Sequence, residues 1–312
     1  MNIDIIKVPL FYGCDREGVE HGPKTLIESG LVELLERHCN TVRDRGFVTV
    51  PPMSGEDKYR SHPDLKYLDA VAETAENLAR TAEQSFRDGY LPLTVGGDHS
   101  LALGTVAATS KANGNDIGII WIDAHADINT TETSPSGNIH GMPLAASVGE
   151  GHEKLVNIYY KGQKVNPRNC FVLGARSVDD GEVEIIDRLG VNVWYMEEIR
   201  EKGMGIVILE LLELLEKRNI RDIHVSYDID SLDASLVPGT GTPVADGLWF
   251  DESEKLIQGI LDTGMVRSVD FVEFNPVRDR EDMTLNASLR MLEAFARGLG
   301  ECDFFKKQVK TA

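Results

Sequence analysis

Basic residues are in short supply in this 312-residue chain: 32 Lys and Arg stand against 51 Asp and Glu, for a formal net charge of -19. That balance argues against nucleic acid or an anionic membrane as a partner, since both are bound through cationic patches. Much of the acidity serves solubility. Cysteine is scarcer still. Cys14, Cys39, Cys170 and Cys302 are widely spaced with no CxxC pair, so neither a disulfide framework nor a thiolate metal site is indicated. Free thiols in a reducing cytosol fit that spacing. No stretch has the length of a membrane span, and the start MNIDIIKVPLFYG lacks a basic n-region and a long apolar h-region. A soluble, cytoplasmic protein is the expectation. Internal repeats, low-complexity tracts and a domain boundary are missing too, and a chain of this length can bury a large core, so residues 1–312 read as a single domain.

What is present is an alternation of short apolar runs with amphipathic segments. Strands are expected at 3–10, 41–50, 91–95, 117–122, 170–175, 191–195, 223–229 and 269–274, and helices at 68–87, 206–217 and 252–261. Residues 51–63 have a loop's composition and read as an excursion. Such alternation predicts an α/β fold: a mainly parallel sheet of about eight strands with helices on both faces.

Three of the apolar runs end in Asp and His. Leu91, Leu93 and Val95 lead into Gly96 and Gly97, small residues expected to let the backbone turn tightly, and then His99. The run 117–122 is followed by Asp123, His125 and Asp127, and the run 223–229 closes on Asp228 and Asp230. Continued strand geometry would put each set on one face, because alternate residues point the same way. Any one of these residues alone would be read as a turn former or helix cap. Together, four carboxylates crowded without cations would cost several kcal/mol in desolvation and repulsion. The six residues are therefore expected to hold two metal ions, and a hard, oxygen-rich set without cysteine suits Mn(II) better than structural zinc.

The blocks GGDHS, DAHADINTTETSPSGNIHGMP, SYDIDSLDASLVPGTGTPV and DFVEFNP resemble the signature blocks of the ureohydrolases, the arginase and agmatinase family. The resemblance runs from GVEHGP near residue 20 to DFVEFNP near residue 275, in the family's order, and NTTETSPSGNIHG is more like arginases than agmatinases. It implies an arginase-like fold, hydrolysis of L-arginine to L-ornithine and urea, two Mn(2+) per subunit, and trimers or hexamers.

The resemblance also assigns residues. His99, Asp123, Asp127 and Asp228 would hold one ion, and His125, Asp123, Asp228 and Asp230 the other, with Asp123 and Asp228 bridging. Asp127 would orient the attacking hydroxide, His140 would carry a proton to the leaving amine, and Glu273 would take the guanidinium through paired hydrogen bonds. Asn129, Ser134 and Ser136, with Asn138 in the same loop, would hold the α-carboxylate; Asp179 and Glu182 would hold the α-amino group directly or through water. The competing reading of that loop is a run of turns satisfied by its own backbone. One departure is Asp246 before Gly247, where the family commonly has two glycines. Agmatinase, another guanidino-acid hydrolase and a catalytically silent metal-binding homologue are the alternatives.

Overall fold

The computed structural model describes residues 1–114 and 117–301; Cys302 lies outside the described residues. Eight strands form one sheet: β1 (Asn2–Val8), β2 (Thr41–Phe47), β3 (Leu91–Gly96), β4 (Gly118–Ile122), β5 (Cys170–Ala175), β6 (Asn192–Tyr195), β7 (Ile223–Asp228) and β8 (Val266–Val272). Their order is β2-β1-β3-β8-β7-β4-β5-β6, and every pairing is parallel. All eight expected strands are found. Strands β3, β4, β5 and β7 are buried along their whole length, which is why they read as continuous apolar runs.

Helices cover both faces. Ile3, Ile5, Leu93, Val225, Tyr227 and Phe271 share one core with the helices Met204–Lys217, Phe250–Leu261 and Met283–Glu301. On the other face Ile6, Val8 and Val272 pack on the helix Leu68–Arg87, and Ile119, Trp121 and Val172 on Val106 of the helix Ala102–Asn113. The helix expected at 68–87 is found, and the other two begin two residues earlier than expected. Two further long helices were not among those expected. Ala102–Asn113 is buried continuously from Ala102 to Ser110, so no polar stripe marks it. The buried face of Met283–Glu301 is diluted by Ala287, Ser288, Ala294, Ala296 and Gly298.

One boundary matters for function. The last strand is Val266–Val272 and not 269–274, so Glu273 has already left the sheet when its side chain is aimed. Among the described residues Cys14, Cys39 and Cys170 are free and buried, and no helix is long and apolar enough to cross a membrane.

Candidate metal and substrate site

The residues singled out in the sequence gather beyond the carboxyl ends of β3, β8, β7 and β4, the place where open parallel sheets bind ligands. After β3 the chain turns through Gly96 and Gly97. Neither adopts a left-handed conformation; a Cβ on Gly97 would strike the Leu10 carbonyl, so close approach is what requires the glycine. His99 then opens a short 3-10 turn, His99–Leu101.

Strand alternation does not bring the other ligands together. β4 ends at Ile122, residues 123–125 form a bend, and Asp127 has a left-handed backbone with φ of 49°. Asp228 is the last residue of β7, and Asp230 sits in the 3-10 turn Ile229–Ser231. Local hydrogen bonds set these turns: Asp123 Oδ1 accepts from the His125 N–H at 2.7 Å, and Asp228 Oδ1 accepts from the Asp230 N–H at 2.8 Å.

The result is a double cluster. His99 Nδ1 lies 3.1 Å from Asp123 Oδ2, 3.0 Å from Asp127 Oδ2 and 3.2 Å from Asp228 Oδ2. His125 Nδ1 lies 3.3 Å from Asp123 Oδ1 and 3.3 Å from Asp230 Oδ2. Asp123 thus turns one oxygen to each imidazole. His99 Nδ1 is buried and makes no hydrogen bond despite its three carboxylate neighbours. Ligand atoms that converge on a common point, as those around His99 do without bonding its Nδ1, are the arrangement a cation requires, and the donor set fits a divalent metal. Without that charge the cluster is frustrated. Burial, then the Asp123 charge, pushes the Asp127 carboxyl up to about 6. Burial, then Asp230 and Asp123, raises Asp228 well above the usual carboxylate range. Burial alone would lower His99, yet its contacts with Asp123, Asp127 and Asp228 raise it.

Glu273 reaches the cluster from an unusual backbone, with φ of 66°. Its Oε1 accepts from the His99 N–H at 2.9 Å and lies 3.1 Å from His140 Nδ1, whereas its buried Oε2 has no partner. Two non-glycine residues of the site thus sit in a sparsely populated region of φ and ψ, a strain typical of functional positions. Burial favours neutral His140, but the Glu273 carboxylate outweighs it and raises the imidazole above its ordinary value.

Above the cluster lies a cavity of about 130 Å³ lined by His125, Asp127, His140, Asp228 and Thr242, and by every expected substrate-loop residue: Asn129, Ser134, Ser136, Asn138, Asp179 and Glu182. Most of these groups already have internal partners. Asn129 Nδ2 donates to Asp179 Oδ2 at 2.9 Å and Asn129 Oδ1 accepts from the Thr133 hydroxyl at 2.8 Å. Ser134 Oγ accepts from the Gly137 N–H at 3.0 Å, and Ser136 Oγ from the Asn138 N–H at 3.2 Å, which leaves each hydroxyl proton to donate. Both Glu182 oxygens are taken by backbone N–H groups, of Ile128 at 3.0 Å and Asp179 at 2.9 Å. Glu182 therefore ties the loop to the helix Asp180–Leu189, and its burial pushes the carboxyl up to about 7.

Sequence reasoning missed the residues that hold the ligands. Ser226 Oγ lies 2.8 Å from His99 Nε2, Trp121 Nε1 donates to Asp123 Oδ2 at 2.9 Å and its ring stacks on His99 at 4.0 Å, and the Thr242 hydroxyl donates to Asp230 Oδ2 at 2.9 Å. Ser226 and Thr242 lie inside the recognisable blocks and Trp121 two residues before one, and such partners orient ligands and fix imidazole tautomers. Arg176 was passed over as well. Its guanidinium donates to the carbonyls of Asp230 at 2.7 Å, Leu232 at 3.0 Å, Ser231 at 3.2 Å, Gly174 at 3.1 Å, Val244 at 2.9 Å and Ala245 at 2.9 Å. Asp246, next along, takes the left-handed conformation with φ of 62° that its place in the loop demands, and Asp233 Oδ2 accepts from the Gly247 N–H at 3.1 Å. Arg176→Met should strand these carbonyls and lower stability by about 3 kcal/mol, read by calorimetry as a fall in Tm. An unchanged Tm would show that the loop holds its shape without the guanidinium.

A parallel α/β sheet with a carboxylate and imidazole cluster at its carboxyl edge, opening into a polar cavity, defines an α/β enzyme built around a metal-type ligand set. The Arginase family model matches residues 1–296. The chain is 43% identical over 295 residues to an arginase of Brevibacillus brevis, covering 94% of this chain and 97% of that one. A solved arginase of Bacillus subtilis superposes with a TM-score of 0.89 at 39% identity, covering 95% of this chain and 98% of the other. The arginase of Bacillus caldovelox gives 0.88 at 38% identity, with the same coverage of 95% and 98%. The chain belongs to the arginase family and is a hydrolase of that family.

Proposed function

We propose that this hydrolase cleaves the guanidino group of L-arginine, giving L-ornithine and urea, at a pair of manganese ions. The observation that carries the reading is the lining of the cavity, which joins the cluster carboxylates Asp127 and Asp228 to Asp179, the Asn129 and Asn138 amides and the Ser134 and Ser136 hydroxyls. A zwitterion with a cationic tail needs that distribution. His99, Asp123, Asp127 and Asp228 would hold one ion, and His125, Asp123, Asp228 and Asp230 the other. Two divalent ions bound there supply a water acidic enough to be deprotonated near neutral pH.

The chain's own groups account for the rest. Glu273 Oε2, buried and without a partner, accepts the guanidinium and orients its carbon. Asp127 orients the attacking water, its Oδ2 lying 3.0 Å from His99 Nδ1 within the cluster. His140, held by Glu273 at 3.1 Å, delivers a proton to the departing amine. Asp179 takes the α-ammonium, while Ser134, Ser136, Asn129 and Asn138 donate to the α-carboxylate. The reading treats the whole chain as one ureohydrolase unit, and trimers or hexamers rest on the family alone.

Urea release from arginine, agmatine and guanidinobutyrate by manganese-loaded protein is the test. Agmatine lacks the carboxylate and leaves buried donors unpaired, so arginine should be preferred by about three orders of magnitude or more in kcat/KM. Asp179→Ala should raise KM for arginine while the metal content stays the same. Preference for agmatine in the unmodified protein would move the substrate assignment, and an absence of urea from all three would favour a silent homologue.

A further inference from the structure

Just after the excursion at residues 51–63, the chain leans on the substrate loop through a group that no motif contains. Lys66 Nζ donates to Asn138 Oδ1 at 2.7 Å and lies 3.2 Å from Asp15 Oδ2, and Lys58 Nζ donates to the same Asp15 oxygen at 2.7 Å. The backbone joins in: the Lys66 N–H donates to the Gly137 carbonyl at 3.1 Å, and Gly137 has φ of 71°, where a Cβ would meet the Asp64 carbonyl. The Lys66 side chain is 15% exposed, so the contact is sheltered from solvent.

Two consequences follow for the cavity that Asn138 lines. An asparagine amide has nearly the same shape with its oxygen and nitrogen exchanged, and its neighbours decide which faces which way. A lysine on one side can only donate, so it holds the oxygen there and leaves the NH2 for the other side. One of those protons goes to the Cys14 carbonyl at 3.2 Å, and the second remains for a ligand. The charges do not cancel either. Two lysines share one carboxylate, leaving a single positive charge behind the loop of a chain whose net charge is -19. Against the opposing effect of burial, both lysines hold the Asp15 carboxyl below its ordinary value.

We propose that Lys66 is a specificity-determining positioning residue: it fixes the Asn138 amide with its N–H toward the cavity and lends positive charge to the end that receives a carboxylate. The proposal rests on the arginine reading, and it explains how a strongly acidic enzyme accepts the anionic end of its substrate.

The experiment compares kcat and KM for arginine and agmatine in the unmodified protein, Lys66→Met, Lys66→Arg and Asp15→Asn, with metal content and thermal unfolding measured for each. Lys66→Met should raise KM for arginine about tenfold at nearly constant kcat, and change kcat/KM for agmatine less than about twofold. Lys66→Arg should restore most of the difference. Asp15→Asn, which removes a negative charge and keeps the lysines, should lower KM for arginine by about threefold. It also decides the matter if Lys66→Met fails to fold. Equal losses on both substrates, a fall confined to kcat, or a raised arginine KM in Asp15→Asn would overturn the role. The unmodified protein's preference between the substrates judges the arginine reading separately: if agmatine wins there, that reading fails and Lys66 loses its ligand with it.

Discussion

Asp228→Ala is expected to yield a protein that holds neither metal ion and has lost nearly all activity, whereas His99→Ala should empty one position and keep the other. The difference comes from where the two side chains stand. His99 Nδ1 faces Asp123, Asp127 and Asp228 and lies in one half of the cluster only. Asp228 has one oxygen 3.2 Å from His99, and its other oxygen accepts the Asp230 N–H that shapes the second half. Its removal deletes a ligand proposed to be shared and loosens the turn that presents Asp230. Metal analysis after dialysis gives the answer directly. Two equivalents of manganese and full turnover in Asp228→Ala would show that the ligand assignment is wrong.

Glu273→Gln should leave the metal content at two equivalents and lower kcat/KM by about 2 to 4 kcal/mol, the worth of a buried, charge-assisted pair of hydrogen bonds. Glutamine keeps the shape and can still accept from the His99 N–H. What it cannot do is offer a second lone-pair face to the guanidinium, because an NH2 group replaces the unpartnered Oε2. A further signature separates this from a packing defect. The Glu273 carboxylate raises His140 above its ordinary value, so removing that charge should lower the imidazole's pKa and move the alkaline limb of the kcat profile to lower pH. Near-normal kcat/KM with an unmoved limb would remove Glu273 from the reaction.

The eight strands were legible because burial on both faces leaves a parallel strand little choice but an apolar run, and the ligands were legible because they follow those runs in fixed blocks. The means of convergence was not. Period-two alternation predicts one face for Asp123, His125 and Asp127, but the strand ends at Ile122 and a left-handed Asp127 does what alternation was expected to do. Glu273 likewise leaves the sheet before turning in. Backbone conformations of this kind are imposed by tertiary contacts, and no local propensity announces them. Ser226, Trp121 and Arg176 stayed hidden for a related reason: a serine between apolar residues or an arginine after a strand has no pattern until its partner, distant in sequence, is placed beside it.

The position of β8 carries a consequence for how the protein comes into being. His99 and Asp228, which stand 3.2 Å apart, follow or end strands that do not pair with each other; both β3 and β7 pair with β8, the last strand among the described residues to leave the ribosome. While the nascent chain grows, β1 and β3 can meet, and so can β4, β5 and β7, but His99 stands apart from the five ligands at the carboxyl ends of β4 and β7 until Val266–Val272 slides between them. Closing such long loops is slow, and a chain stalled short of β8 exposes the inner edges of β3 and β7, which the finished sheet pairs with β8. Filling of the proposed metal position at His99 would therefore be a late event of biogenesis, and it would report that the whole sheet has been completed.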